Sequence, residues 1–316
     1  MGQELRRVPE LKLLDYVHGD ENHKTKFINE LHFGLKEYGF IVLVDHLVDQ
    51  KIVDKAYDLF MEFYSLPTKD KLEYSKPELK NQRGYIPFGL EKAVGQEVPD
   101  LKEFFHVGRP IEAGHRFEKY YPSNIWPKGI KEFKETTVEL YRAMDATSKF
   151  LLEAIAIGLD IDKGYFNPMI DDGNSILRCI HYPPVKDLSK TNAVRAAAHG
   201  DINLITLLVG ATDSGLELLD RDNKWLPVNS APGQIVVDTG DMMSRITNDV
   251  LPSTIHRVVN PDNSTSARFS MPFFVHPNPE AELKCIPTCV GDGEKYPPIN
   301  AQEFLNERLE QIGLGK

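Results

Sequence analysis

Two histidines and one aspartate have the residue types and the spacing of a metal-binding site. His199 and Asp201 are two residues apart directly before an apolar run at 202–209, and side chains two apart on an extended chain share one face. His256 lies in a second strand-like run at 253–259. Two imidazoles and one carboxylate on one side of an iron form the facial triad of non-haem Fe(II) oxygenases. The spacing therefore favours an iron centre with open coordination positions.

The spacing of His199 and Asp201 is not decisive by itself, because a similar tripeptide occurs elsewhere. His18-Gly19-Asp20 is identical to the tripeptide at 199–201, but no strand-like run follows it, so we expect a solvated loop there. A zinc hydrolase could use the same ligands, but it would need a further carboxylate as general base, and the chain has no HExxH motif. Iron is preferred for these reasons.

Arg268 and Ser270 also lie two residues apart, on a third strand-like run at 267–275. If their shared face points into the protein interior, an unpaired guanidinium would be unfavourable, and a carboxylate bound through two hydrogen bonds is its natural partner. A bound dicarboxylate would supply that partner. The alternative is an ion pair with a nearby Asp or Glu.

The elements that must position these side chains differ between the two halves of the chain. The first half has helical stripes, such as Phe27, Leu31, Leu35 and Tyr38, and a similar stripe at 52–63. A buried strand is predicted at 40–44 between them, loops with short strands at 76–128, and a long helix at 129–158. The second half has short strand-like runs separated by turn residues, at 175–182, 202–209, 216–219, 225–228, 234–238, 253–259 and 267–275, and then a closing helix at 301–312.

The order of these motifs resembles the isopenicillin N synthase-like branch of the 2-oxoglutarate/Fe(II)-dependent dioxygenase superfamily. Tyr182, within His-Tyr-Pro-Pro, precedes the metal-binding residues, and the segment 232–241 lies between the two histidines. Glu37-Tyr38-Gly39-Phe40 and the Arg-Gly-Tyr at 83–85 are similar to the family's N-terminal region. The resemblance implies a mainly β fold with flanking helices, in which a distorted double-stranded β-helix, or jelly roll, is wrapped by an N-terminal α/β region.

The resemblance also divides the chain. It implies an N-terminal helical and loop region at 1–165 that contributes to the substrate pocket. Residues 166–316 would form the Fe(II)/2-oxoglutarate dioxygenase jelly roll with its C-terminal helix, and the two regions would form one compact unit.

The resemblance assigns roles to six residues: His199, Asp201 and His256 would bind Fe(II), Arg268 and Ser270 would hold the distal carboxylate of 2-oxoglutarate, and Tyr182 would add a hydrogen bond. With O2, such an enzyme hydroxylates, desaturates or cyclises a small organic metabolite and releases succinate and CO2.

Two alternatives stay open at this point. Ile180 stands where many plant members of the family carry Asn, and isopenicillin N synthase, which needs no 2-oxoglutarate, also has an apolar residue there. A 2-oxoglutarate-independent Fe(II) oxidase of that type is therefore the alternative within the family. A non-catalytic jelly roll that binds a small acid is the alternative outside it, and the intact set of His199, Asp201, His256 and Arg268 argues against it.

Substrate contacts are expected from the loop-rich region and from the strand that carries Arg268. Arg83 could bind a substrate carboxylate, and Tyr85, Phe104, His106 and Phe274 are further candidates; a solvent-exposed arginine and ordinary aromatic packing are the alternatives. The remaining histidines, among them those at 181 and 276, have no motif support, and we expect surface or structural roles for them.

Composition narrows the choice of partners. The net charge of −10 disfavours nucleic acid and anionic membranes, and no apolar run approaches the roughly 18 residues of a membrane span. The first residues lack the apolar core of a signal peptide, and the three cysteines cannot form a disulfide framework. We therefore expect a cytoplasmic protein with a small-molecule substrate; the sequence does not indicate its oligomeric state.

Overall fold

The computed structural model describes residues 6–90, 100–184, 195–212, 214–259 and 266–311. Its helices are α1 (Leu13–His18), α2 (Glu21–Glu37), α3 (Gln50–Ser65), α4 (Thr68–Leu72), α5 (Phe133–Gly158), α6 (Asn167–Ile170), α7 (Asp241–Ile246) and α8 (Ala301–Gln311). Its strands are β1 (Glu10–Lys12), β2 (Phe40–Val44), β3 (Gly84–Ile86), β4 (Glu103–Gly108), β5 (Ile176–Tyr182), β6 (Ala196–His199), β7 (Ile205–Val209), β8 (Leu216–Leu219), β9 (Trp225–Pro227), β10 (Ile235–Thr239), β11 (His256–Val258), β12 (Arg268–Val275), β13 (Glu282–Leu283) and β14 (Ile299–Asn300).

The helices predicted from apolar stripes are confirmed. In α3 the side chain of Asp49 accepts a hydrogen bond from the backbone N–H of Lys51 and caps the helix, which ends at Ser65, before Pro67. Helix α5 begins at Phe133, later than predicted, because Gly129 and Glu132 adopt left-handed backbone conformations that helices exclude. The predicted end of the closing helix at 312 lies outside the described residues.

The strands form a large and a small sheet that face each other, with a short two-stranded sheet beside them. The large sheet has the order β1-β2-β10-β7-β12-β5-β4-β3, and the small one has the order β6-β11-β8-β9. Strands β1 to β4, from the N-terminal half, thus extend the sheet formed by β10, β7, β12 and β5. The result is mainly β with flanking helices, as predicted.

Each face of the large sheet packs against a different partner. On the inner face, residues such as Phe40, Ile180 and Tyr182 share an apolar cluster with Leu218 and Val258 of the small sheet. On the outer face, alternate residues pack with α2, α3 and α5 in a larger core. Along β12 this alternation separates Arg268, Ser270, Pro272 and Phe274, which line a cavity, from Met271, Phe273 and Val275, which belong to the helix-side core.

The residue composition of strand β6 explains why the sequence does not predict it. Strand β6 consists of three alanines and His199, and alanine has little preference for strands. Its pairing with β11 supplies the order that its own sequence does not. Within the described ranges, no helix has both the length and the apolar character needed to span a bilayer.

Candidate active site

The predicted metal ligands lie together at the end of the small sheet. His199 closes β6, His256 opens β11, and the two are directly paired across these antiparallel strands. Their Nε2 atoms lie 3.8 Å and 3.9 Å from Oδ1 of Asp201. All three ligand atoms are within 4.8 Å of one another, and in the described part of the chain no other group of three such side chains comes together in this way. One metal ion could contact all three.

Backbone carbonyl groups orient both imidazole rings. Nδ1 of His199 lies 2.7 Å from the carbonyl oxygen of Ala197, and Nδ1 of His256 lies 3.2 Å from that of Thr254. Each Nδ1 therefore carries the hydrogen, which leaves the lone pair on Nε2 for a metal. Burial, reinforced by the neighbouring imidazole of His256, lowers the pKa of His199 to about 4, so that the ring is neutral near pH 7.

The second oxygen of Asp201 is held by the hydroxyl of Thr206, which donates a hydrogen bond to it. Thr206 pairs across β7 and β10 with Asp238, a buried carboxyl that the sequence analysis did not single out. Burial, together with the negative charge of Asp201, raises the pKa of Asp238 well above its usual range. Thr206 thus lies between the carboxylate of a predicted metal ligand and a second, buried carboxyl group.

Arg268 is buried on the inner face of β12, as its spacing from Ser270 predicts. Its Nη1 donates to Oγ of Ser270 at 3.3 Å, and its guanidinium carbon lies 4.9 Å from the ring centre of Tyr182, its cross-strand partner on β5. Burial lowers the pKa of Arg268. A buried cation beside two hydroxyl groups fits a carboxylate ligand.

One cavity joins these two sets of residues. This inner channel is lined by His199, Asp201 and His256 and by Tyr182, Arg268 and Ser270, with apolar walls that include Ile180 and Leu208. A dicarboxylate could therefore contact Arg268 with one end and the metal position with the other. The residues fit both Fe(II) and 2-oxoglutarate. A second buried arginine near the channel, Arg195, was also missed, because no spacing rule marks it; its Nη2 donates to the carbonyl of Ser266 at 3.3 Å.

A second, larger cavity opens on the other side of the metal-binding residues. This outer cavity has a volume of about 350 Å³ and is lined by His199 and Asp201, by His106 and Phe274, and by α8 through Leu305 and Leu309. Two of the predicted substrate residues, His106 and Phe274, thus line it.

Arg83 and Tyr85, both predicted to contact substrate, line neither of these cavities. Tyr85 belongs to the helix-side core and donates its hydroxyl hydrogen to Glu103. Arg83 is fully buried against Gly108 and donates from Nη1 to the carbonyl of Gln82 at 2.8 Å. The reason is strand alternation: Ile86, the neighbour of Tyr85, packs in the inner cluster, so Tyr85 must face outward.

Phe104 faces inward, but it lies beneath the cavity surface. The guanidinium carbon of Arg178 lies 4.2 Å from the ring centre of Phe104 and 5.1 Å from that of Phe274. Arg178 lines both cavities and Phe104 neither. Arg178 therefore lies between the ring of Phe104, a predicted substrate contact, and the cavities.

A facing pair of sheets, a His-Asp-His triad and a buried arginine in the same channel define a non-haem iron oxygenase of the jelly-roll class. Comparison with known proteins agrees. Residues 8–129 match the family model described as the non-haem dioxygenase in morphine synthesis N-terminal region, and residues 173–277 match that of the 2OG-Fe(II) oxygenase superfamily. The chain belongs to this superfamily.

Individual relatives match over almost the whole chain. The 2-oxoglutarate-Fe(II) type oxidoreductase hxnY of Emericella nidulans is 32% identical, over 96% of this chain and 89% of its own length. The crystal structure of a 2OG-Fe(II) oxygenase family protein from Caulobacter crescentus is 44% identical, with a TM-score of 0.87, covering 96% of this chain and 98% of that one. A full-length Neurospora crassa protein, crystallised in complex with α-KG and thymine, is 29% identical, with a TM-score of 0.87, covering 98% of both chains.

The chain is therefore an oxidoreductase, an Fe(II)- and 2-oxoglutarate-dependent dioxygenase of small metabolites that uses O2 as co-substrate. The predictions of family, jelly-roll fold, enzyme class and cofactors are confirmed.

Proposed function

We propose that His199, Asp201 and His256 hold Fe(II), and that Arg268 with its neighbours Ser270 and Tyr182 holds the distal carboxylate of 2-oxoglutarate. The inner channel carries this proposal, because it has the metal-binding triad at one end and a buried arginine at the other. When bound, Fe(II), 2-oxoglutarate and O2 supply the oxidation of a substrate C–H bond, with release of succinate and CO2. The substrate is a small organic metabolite in the outer cavity.

The residues of the chain prepare this chemistry in three ways. The carbonyl groups of Ala197 and Thr254 keep both Nε2 lone pairs directed at the metal position. Arg268 supplies a fixed positive charge that offsets the charge of the dicarboxylate, and the apolar side chains of Ile180 and Leu208 exclude water from its path. Asp201 keeps one oxygen toward the metal because Thr206 holds the other.

An oxidase that needs no 2-oxoglutarate is the second candidate, and Ile180 is the observation that favours it. Ile180 lies opposite Ser270 in the register of β5 and β12 and lines the inner channel without offering a hydrogen bond to a keto acid. The Neurospora crassa protein in its complex with α-KG, which is 30% identical, supports the 2-oxoglutarate-dependent alternative.

The chain offers its own control for the metal site. His199→Ala should remove both bound iron and 2-oxoglutarate-dependent succinate release, since one of three ligands is lost. His18→Ala, in the matched tripeptide at the end of α1, should retain both. Iron is measured by elemental analysis and succinate by chromatography. Equal iron and equal turnover in the two variants would contradict the assignment, and binding of a small acid by the wild-type protein without iron or turnover would favour a non-catalytic binding protein.

The expected location, partners and division of the chain also belong to this proposal. We propose a cytoplasmic enzyme without nucleic acid or membrane partners; the net charge of −10 and the buried free thiols of Cys179, Cys285 and Cys289 support it. We also propose that residues 1–165 form the N-terminal region that contributes to the substrate pocket, and that residues 166–316 form the jelly roll. The complexes of the Neurospora crassa protein with thymine and with 5-formyluracil make small heterocycles the first compounds to test as substrates.

A further inference from the structure

The inner faces of β5 and β12 continue beyond the dicarboxylate end into a polar patch. The register pairs Arg268 with Tyr182 and Phe274 with Ile176. Just beyond this paired region, Asn174 precedes β5 and His276 follows β12, and the backbone N–H of Asn174 donates to the carbonyl of Pro277 at 3.2 Å. Both side chains line the outer cavity. The two strands thus have charged and hydroxyl groups at one end and uncharged polar groups at the other.

Three residues that line the outer cavity each have a side-chain polar atom that is buried without a hydrogen-bond partner in the described part of the chain. These atoms are Oδ1 of Asn174, Nδ1 of His276 and Oδ1 of Asn81, whose residue lies beside His106. Asn174 and His276 are only 5% and 8% exposed. A buried polar group without a partner destabilises a fold, and more than nine in ten such groups find one. Three at one cavity indicate a ligand that supplies the missing hydrogen bonds.

The chemistry of these three residues restricts the ligand. Burial lowers the pKa of His276 to about 4, so its ring is neutral near pH 7 and offers one donor and one acceptor. Each asparagine likewise offers one donor and one acceptor group in a single plane. Four cations line the cavity, namely Lys80, Lys102, Arg178 and Arg308. Lys102 pairs with Asp100 at 2.9 Å and Arg308 with Asp241 at 2.6 Å, whereas Arg178 donates to Nε2 of His106 and lies over the rings of Phe104 and Phe274.

We propose that Asn81, Asn174 and His276 determine specificity by binding an uncharged substrate that carries amide-like N–H and C=O groups on a small ring. The inference rests on the proposed function and names the substrate class of the same site. An amide edge is the natural complement of an asparagine side chain, since each donor faces an acceptor. Phe274, which lines the same cavity, supplies apolar surface for the ring. The volume of about 350 Å³ suits a small metabolite.

Matched pairs of compounds test the chemistry of recognition. The protein is loaded anaerobically with Fe(II) and 2-oxoglutarate, and binding is measured for thymine, uracil, hydantoin and 2-piperidone, for their N-methylated counterparts, and for benzoate and orotate. At least one ring amide should bind at millimolar concentration, and its N-methylated counterpart at least about tenfold more weakly, because methylation leaves a buried polar group unpaired. Binding of none of the ring amides, equal binding of the methylated forms, or preference for the carboxylates would overturn the proposal.

Variants then test the assigned residues. Asn174→Leu and His276→Phe should weaken binding of the best ring amide by about tenfold or more and leave the 2-oxoglutarate complex unchanged. Asn278→Leu is the matched control, because Asn278 is also buried but its amide donates to the carbonyls of Pro168 and Asp171; ring-amide binding should persist in it. Unchanged affinity in both cavity variants would overturn the assignment. Failure to form the 2-oxoglutarate complex in the wild-type protein would instead contradict the proposed function.

Discussion

Strands β4 and β5 and the residues just before β5 bury polar side chains on both sides of the large sheet, but these side chains are hydrogen-bonded differently on the two sides. On the helix side, the carboxylate of Glu103 lies 2.8 Å from Nζ of Lys71 and 2.7 Å from Nδ1 of His181. The hydroxyl of Tyr85 donates a third hydrogen bond to it. On the cavity side, the amide oxygen of Asn174 has no hydrogen-bond partner among the described residues.

This difference separates polar groups that serve folding from those that serve binding. A buried charge persists in a core only when hydrogen bonds and an opposite charge compensate for the loss of water, and the Glu103 cluster meets that condition. The unpaired atoms of Asn81, Asn174 and His276 do not meet it, and we infer that a ligand supplies their hydrogen bonds. Natural proteins accept such local losses of stability at functional sites.

The largest effect is expected from breaking the Glu103 cluster. Glu103→Ala leaves the ammonium group of Lys71 buried without its carboxylate partner, and we expect the free energy of unfolding to fall by about 3–5 kcal/mol. Denaturant unfolding measures it. Glu132→Ala, which removes an exposed pair with Lys55, is the control and should change little. Equal losses in the two variants would show that the cluster does not act as a buried unit.

Binding of Fe(II) to the His-Asp-His triad, on the cavity side of the large sheet, should stabilise the folded protein. Fe(II) at a hundredfold excess over its Kd should raise the free energy of unfolding by about 2.7 kcal/mol, because it binds only the folded triad. Asp201→Ala should abolish this gain while the metal-free protein remains folded. The comparison is made anaerobically by denaturant unfolding with and without Fe(II). A gain of the same size in Asp201→Ala would contradict the metal site.

The Glu103 cluster should also weaken in acid. Burial alone raises the pKa of Glu103, but hydrogen bonds from His181, Lys71 and Tyr85 outweigh it and hold the pKa below its ordinary value of 4.5. A carboxyl group with a lowered pKa stabilises the fold above that value and loses the contribution as pH falls. The free energy of unfolding of the wild-type protein should exceed that of Glu103→Gln by about 2 kcal/mol at neutral pH. This difference should shrink below pH 4.5. A constant difference across that range would contradict the charged cluster.

The smallest expected effect is a difference in the free energy of unfolding between variants of two buried asparagines. Asn278→Leu removes hydrogen bonds to the carbonyls of Pro168 and Asp171 and should lower the free energy of unfolding by about 1 kcal/mol. Asn174→Leu removes a side chain whose Oδ1 has no partner among the described residues, so stability should stay within about 0.5 kcal/mol of wild type. Thermal and denaturant unfolding provide both values. A larger loss for Asn174→Leu would mean that its side chain serves the fold.

The features that the sequence predicts depend on relations between residues close together in the chain. Alternation on an extended chain paired His199 with Asp201 and Arg268 with Ser270, and the structure places each pair on one cavity. Apolar stripes predicted α2, α3 and α5 because a helix repeats its face within a few residues.

What could not be predicted depends on which face of a strand is turned inward and on pairing between distant strands. Tyr85 is an example, because it packs in the helix-side core and no local cue in Arg-Gly-Tyr indicates which side of β3 faces the helices. His276 has no motif and was expected to be structural. Only the pairing of β5 with β12 brings His276 and Asn174, which lie just beyond these strands, to one cavity, and that pairing is a tertiary property.

The central claim is that Arg268 and the His-Asp-His triad bind the two ends of one 2-oxoglutarate molecule. Anaerobic titration of the Fe(II)-loaded protein with 2-oxoglutarate, monitored through the visible metal-to-ligand charge-transfer band, tests it without knowledge of the substrate. We predict a saturable band in wild type and in Arg116→Ala, an exposed arginine paired with Asp171, and its loss at the same concentrations in Arg268→Ala. Bound iron without a band in wild type, or an undiminished band in Arg268→Ala, would contradict the claim.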